Sequence, residues 1–199
     1  MFSSVLSDEQ IQRIHDASMA LLSRVGVVVP HPDMLSRLEE AGAQVDHDAQ
    51  RVRLSEELVL SLIAQAGKHF TLYGRDLTKT AAFGQGQRNY NSIAGEACWL
   101  EAPGDDRRYA TLGDAATAGR FADGLAHINL VGAMSDPQEL PAAGRCVAVL
   151  ATLLRTTTKP VTFWYHDRAS ARYVNEILIA LRGDEARAAR YPLCYRSAS

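Results

Sequence analysis

No apolar run in this chain approaches the roughly 20 residues that a membrane-spanning helix requires, so a helical membrane protein is not expected. The opening Met1-Phe2-Ser3-Ser4-Val5-Leu6-Ser7-Asp8 has neither a basic start nor an apolar stretch, so a secretory leader is not expected. Cysteine is scarce: Cys98, Cys146 and Cys194 are 3 among 199 residues. An odd number without a leader points to a reducing cytoplasm and to buried thiols. None lies at zinc-site spacing from another Cys or a His, so a metal is not expected. An excess of positive charge is missing too. The net charge of −2 offers no electrostatic footprint for nucleic acid or an anionic membrane surface. Nucleotide and hydrolase fingerprints are also absent. Gly84-Gln85-Gly86 lacks a third glycine and does not open a strand–helix turn, and neither a Walker lysine nor a Gly-x-Ser-x-Gly elbow occurs.

What is present is a globular composition, 47% hydrophobic and 22% charged, with length enough for a core. The first part reads as three punctuated helices. Ser7 and Gln10 form a capping box before Ile11, Ile14, Leu21, Leu22 and Val25, and Gly26 supplies the stop. Pro32 starts a second helix that ends at Gly42, and Ser55 caps a third that closes at Gly67. Arg51 to Leu54 is a short extended piece. Phe70-Thr71-Leu72-Tyr73 reads as a strand and Gly74-Arg75-Asp76 as a turn. The segments 97–101 and 107–110 flank a Pro-Gly-Asp-Asp loop and read as a hairpin.

From Thr111 strands and helices alternate. Thr111 caps a helix to about Asp123, and strands near Ile128, Val161 and Leu193 are separated by helices from about Ala142 to Arg155 and Arg168 to Leu181. That alternation is the βαβ repeat of a parallel sheet, and the strands are apolar enough to be buried on both faces. Periodicity alone leaves an open doubly wound sheet and part of a barrel both possible.

The run from Leu6 to His15 with Gly26-Val27, Pro30-His31-Pro32, the segment from Ala41 to Asp46, and Lys68-His69-Phe70-Thr71-Leu72-Tyr73-Gly74-Arg75-Asp76 resembles the N-terminal signature of the trimethylamine methyltransferase family. Thr156-Thr157-Thr158-Lys159-Pro160-Val161 is similar to the segment that precedes a barrel strand in that family. The resemblance implies an α/β fold: a helical N-terminal extension over 1–85, containing short strands, followed over 86–199 by the first half of a (β/α)8 TIM barrel. The segments around Asn89–Ile93, Ile128, Val161 and Leu193 would be its first four strands. The implied activity moves a methyl group from a methylated amine, trimethylamine or a betaine-like quaternary amine, to the corrinoid of a separate corrinoid-binding protein. The chain itself would bind no cofactor and would act in cytoplasmic one-carbon metabolism. Family members are longer, so these residues alone are expected to be inactive. A half-barrel would expose two sheet edges. It would therefore belong to a longer protein, be degenerate, or form a homo-oligomer. The alternative is a noncatalytic binding or assembly module.

Barrel active sites collect at the C-terminal ends of strands. That rule selects Asn91 and Ser92, then Asp136, then Tyr165 and His166, then Arg196 as candidate substrate-binding residues; no catalytic residue is assigned. A quaternary ammonium suits an aromatic face, which singles out Tyr165, and Trp164 if the strand twists. A betaine carboxylate would want Arg196, Asn91 or Ser92. The remaining histidines, His15, His31, His47, His69 and His127, read as surface residues.

Overall fold

The computed structural model describes residues 5–165 and 167–197, Arg196 and Ser197 as strand positions only. Residues divide into two compact units, Met1–Gly67 and Lys68–Ser199.

In the first unit the capping box at Ser7 is formed in both directions and starts α1 (Asp8–Ala20). The helix expected to run to Val25 changes to a π turn over Leu21–Val25. The cause is lateral: Leu54 N–H donates to the Leu22 carbonyl, Arg53 Nε to Arg24 O and Arg51 Nη1 to Val25 O, so the last carbonyls turn outward. Gly26 then takes φ +75°, and a Cβ there would lie 2.3 Å from the Val52 carbonyl. There follow β1 (Val27–Val28), α2 (Pro32–Glu40), β2 (Gln44–Asp46), β3 (Arg51–Arg53) and α3 (Glu56–Gln65). The three strands form an antiparallel sheet in the order β1-β3-β2. Val52 and Leu35 are its buried centre, whereas neither α1 nor α3 buries a residue.

The second unit opens with a hairpin, β4 (Phe70–Tyr73) and β5 (Thr80–Phe83), turned by Asp76, which accepts from Thr78 N–H and Oγ1. A second hairpin pairs β6 (Cys98–Trp99) with β7 (Arg108–Tyr109). Arg108 forks onto Asp114 and Glu101, fastening it to the capping box of α4 (Leu112–Gly124). Then come β8 (Val131–Gly132), α5 (Ala142–Thr156), β9 (Val161–Trp164), α6 (Arg168–Arg182), α7 (Glu185–Arg190) and β10 (Cys194–Ser197). Gly144 at φ +82° offsets the first residues of α5 from its axis. Neither β5 nor α7 was foreseen, because Gly84, Gly86 and the Arg–Ala run give no clear period.

Strands β8, β9 and β10 are parallel neighbours in chain order. The expected first strand near Asn89–Ile93 is not a regular strand. It runs beside β8 but holds one ladder bridge, Asn91 to Leu130. Ser92 Oγ accepts the Gly132 N–H at 2.8 Å where a carbonyl would ordinarily serve, and the pairing resumes through Ile93 O, Ala94 O and Glu96 O. The sheet carries α5 and α6 on one face. Val131, Ala133, Val161, Phe163 and Leu193 pack there with Cys146, Val149, Leu150, Leu153 and Val174. On the other face Leu130 and Tyr195 meet Leu72 and Ala81 of the first hairpin, with Phe83 alongside. That hairpin falls within the segment read as an extension, yet it packs with the sheet. The described residues make a mixed α/β protein with seven α-helices and small sheets, none closed into a barrel.

The sheet is curled. Strands lie about 4.8 Å apart, so a flat sheet would hold the first and fourth segments roughly 14 Å apart. Asn91 Nδ2 nonetheless donates to Tyr195 Oη at 3.0 Å, a gap that these side chains, leaving the sheet face-on, would not close across a flat sheet. The sheet therefore wraps into a trough, with the β4–β5 hairpin packed near its N-terminal end.

Candidate functional site

Two ends of the trough differ in chemistry. At the strand N-terminal end many polar groups are committed to holding the chain. Lys159, 8% exposed, donates from Nζ to the carbonyls of Ala122, Leu125 and Ile128 and so caps α4. Asp123 accepts from Thr157 Oγ1 and Thr158 N–H, tying α4 to the segment before β9. Burial alone would raise the Asp123 carboxyl; these hydrogen bonds and the Lys159 charge outweigh it and hold the group below the ordinary range. Burial lowers Lys159 from its usual value despite Asp123. Arg182 donates to Tyr73 O, Gly74 O and Tyr191 O, and Arg75 to Thr157 O. The Thr-Thr-Thr-Lys-Pro and Tyr-Gly-Arg-Asp strings are therefore structural at this end.

The C-terminal end is the candidate site. Register decides which side chains share its inner face. Tyr195 pairs with Thr162, and Gly132 with Thr162, so these three form one inward row. Trp164, two residues beyond Thr162, is on the same face and is 44% exposed. Tyr165 lies on the opposite face: its ring tilts against Phe163 with centroids 5.1 Å apart and joins the helix-side core. A crevice with room for little more than a water, lined by Ala94, Gly95, Ser135, Asp136 and Trp164 and, from the helix-side core, by Cys146 and Val149, lies beside this end of the sheet.

Of the other residues selected from sequence, Asn91 is not at the C-terminal rim: it bridges Leu130, one residue before β8 begins, and bonds to Tyr195. Ser92 is buried and spends its hydroxyl on Gly132. Asp136 accepts from Arg145 Nη1 at 2.8 Å and from Gln138 Nε2 at 3.0 Å, organising the loop after β8. Arg196 is a β10 position in register with Phe163. His166 lies outside the described residues; the adjacent Asp167 caps α6, and hydrogen bonds from Ser170 lower its carboxyl. The structure thus brings Asn91 together with Tyr195, while Trp164 and Tyr195 share the inner face. Tyr195 escaped sequence reasoning because both faces of a buried parallel strand are apolar; only the register with Thr162 assigns its side.

The thiols correct one expectation. Cys146 is buried and burial pushes Cys194 up to about 11, but Cys98 is exposed, because its two-residue strand lies in an outlying hairpin. Among the described histidines, His31 caps α2, His47 and His15 face Glu39 and Glu56, and His69 and His127 are exposed. No group of three His, Cys, Asp or Glu side chains gathers at metal-binding geometry among the described residues, and no described helix is long and apolar enough to cross a membrane.

A mixed α/β chain built on a short parallel sheet is the class that the fold defines. The sequence model of the family described as trimethylamine methyltransferase (MTTB) matches residues 2–198, and the chain belongs to that family. It is similar to the glycine betaine methyltransferase of Desulfitobacterium hafniense (strain Y51), 26% identical over 157 residues, covering 78% of this chain and 32% of that protein. It is also similar to the trimethylamine methyltransferase MttB of Desulfitobacterium hafniense (strain DSM 10664 / DCB-2), 22% identical over 94% of this chain and 38% of that one. A shorter stretch of 73 residues is 32% identical to MttB of Methanosarcina thermophila, 37% of this chain and 15% of that protein. The chain spans about a third of the length of the first two relatives.

Proposed function

We propose that this chain forms part of a methyltransferase that takes a methyl group from a quaternary or tertiary methylated amine. The match of the family model to residues 2–198 carries this reading, and the names of the relatives, glycine betaine and trimethylamine methyltransferases, supply the substrate class. The curled sheet, with strands in chain order, supports placing residues 86–199 as an arc of a (β/α)8 barrel whose active end is the C-terminal rim. The acceptor would be the corrinoid of a separate protein, a strong nucleophile toward a methyl carbon. Within this chain the work is binding and aiming. Trp164 offers a π face to a methylammonium group, worth about 0.5–2 kcal/mol depending on desolvation. Asn91 holds the Tyr195 hydroxyl, fixing the ring in the trough. Arg196 and His166 are the groups proposed to meet a betaine carboxylate. Cytoplasmic location belongs to the same proposal. A trough open on one side gives few of the contacts that position a methyl, and misplacement by about 1 Å costs some 100-fold in rate; the 199 residues alone are expected to bind weakly and not to turn over.

Thermal denaturation with millimolar glycine betaine or trimethylamine tests the binding half. The melting temperature should rise, and Trp164→Ala should abolish the rise while leaving the unliganded melt unchanged. No shift with either amine would remove the trough from consideration as the amine site. The transfer half is tested by incubating the chain with either amine and a reduced corrinoid and weighing the amine product. Dimethylamine or dimethylglycine released by the chain alone would overturn the expectation of inactivity.

A further inference from the structure

Trp164, the aromatic face offered to the amine, is the last residue of β9 and is 44% exposed. Such a ring binds better the less it has to be ordered on binding. It lines the crevice beside Cys146 together with Ser135 and Asp136 of the loop after β8. Three residues beyond it, Asp167 caps α6. That loop and that cap are both tied to the same two residues at the start of α5.

The start of α5 is irregular. Pro141 supplies no side-chain cap, Ala143 takes ψ 117° and Gly144 φ +82°, so the regular turns begin only at Arg145. A Cβ at position 144 would meet nothing within 4 Å, so the positive φ alone calls for glycine. Gly144 N–H donates to Ser170 Oγ at 3.3 Å, and that hydroxyl donates on to Asp167 Oδ2 at 2.5 Å. Ser170 is 2% exposed. Arg145 reaches the preceding loop instead: Nη1 donates to Asp136 Oδ2 at 2.8 Å, while Nε and Nη2 both donate to the Leu140 carbonyl. A planar fork that spans a carboxylate and a carbonyl fixes that loop at two points, which a lysine ammonium does less well. Neighbouring residues of one helix start thus hold the chain on both sides of Trp164.

From this arrangement we infer that Arg145 and Ser170 are positioning residues for Trp164, Arg145 acting through Asp136 and Ser170 through the Asp167 turn that follows β9. As a statement about an amine site this rests on the methyltransferase reading; the holding of the Trp164 ring does not. Acrylamide quenching of Trp164 fluorescence in the whole chain is the test, in a Trp99→Phe background that leaves one tryptophan. Arg145→Met and Ser170→Ala should each raise the quenching constant about twofold. The second variant keeps the Ser170 backbone N–H bond to Asp167 Oδ1, so the α6 cap survives it. Arg145→Lys restores a charge opposite Asp136 and should recover most of the change. Lys159→Met, destabilising at the other end of the sheet, is the control and should leave quenching as it was. Trp164 unmoved in either variant would strike that residue from the pair; unmoved in both, or moved as much by Lys159→Met, it would overturn the inference and leave the contacts merely structural. In the amine-protection melt, Arg145→Met should weaken apparent affinity about three- to tenfold, and an unchanged affinity would also overturn the inference. Absence of protection in the original chain counts against the methyltransferase reading, and quenching alone then decides the positioning.

Discussion

Single side chains in this protein act mainly as ties between segments far apart in sequence. Lys159 is the strongest case, three carbonyls at a helix end satisfied by one buried ammonium. Replacing it with Met keeps the length and removes the donors. Chemical denaturation of Lys159→Met should show a loss of about 2–4 kcal/mol, the cost of leaving buried acceptors unpaired; an unchanged midpoint would show that water replaces the ammonium without penalty. Asp123 gives the pH counterpart. Its folded carboxyl lies below its unfolded value, so the unfolded chain binds the extra proton in between. Its contribution is complete above an ordinary Asp value of about 3.9 and is lost as pH falls through the folded value. Asp123→Asn should therefore flatten the fall in stability below about pH 4. Some slope should remain, because Asp114, Asp167 and Asp76 are depressed as well.

At the level of elements, close approach governs what is tolerated. The irregular segment beside β8 lies so near that a Cβ on Gly132 would stand 2.1 Å from the Ile93 carbonyl and 2.4 Å from that of Ser92. Both obstacles are backbone, so Gly132→Ala must push the first segment off the sheet. A loss of about 3 kcal/mol is expected. Gly119 in α4 offers the contrast. Its obstacle, at 2.2 Å, is the Thr156 hydroxyl, a side chain. Gly119→Ala should cost less than half as much, and still less in combination with Thr156→Ser, which removes the neighbouring methyl and frees the hydroxyl to rotate. Equal losses at the two glycines, measured by denaturant midpoints, would contradict this account of the trough.

For the whole molecule, the amine-protection and quenching experiments report on different properties of one end of the sheet and can fail independently. Much of the frame was legible beforehand. Ser7, Ser55 and Thr111 cap helices as read, since a cap is set by a hydroxyl and the few residues after it. The βαβ alternation after Thr111 needed only period and length. The parallel order β8-β9-β10 follows from it, crossovers being short and right-handed. The inner face was not legible. Tyr165 packs with Phe163 in the helix-side core because of a pleat whose phase depends on strand register, and register is a property of pairs of strands. Tyr195 meets Asn91 across 104 positions only because the sheet curls. The packing of the β4–β5 hairpin beneath Leu130 and Tyr195 was equally hidden. Local chemistry thus determined the caps, most of the helices and the alternation, since each depends on neighbours in the chain. The trough and the commitment of Ser92 and Asp136 to structural partners were decided by tertiary contacts, which pair residues whose separation in sequence carries no pattern.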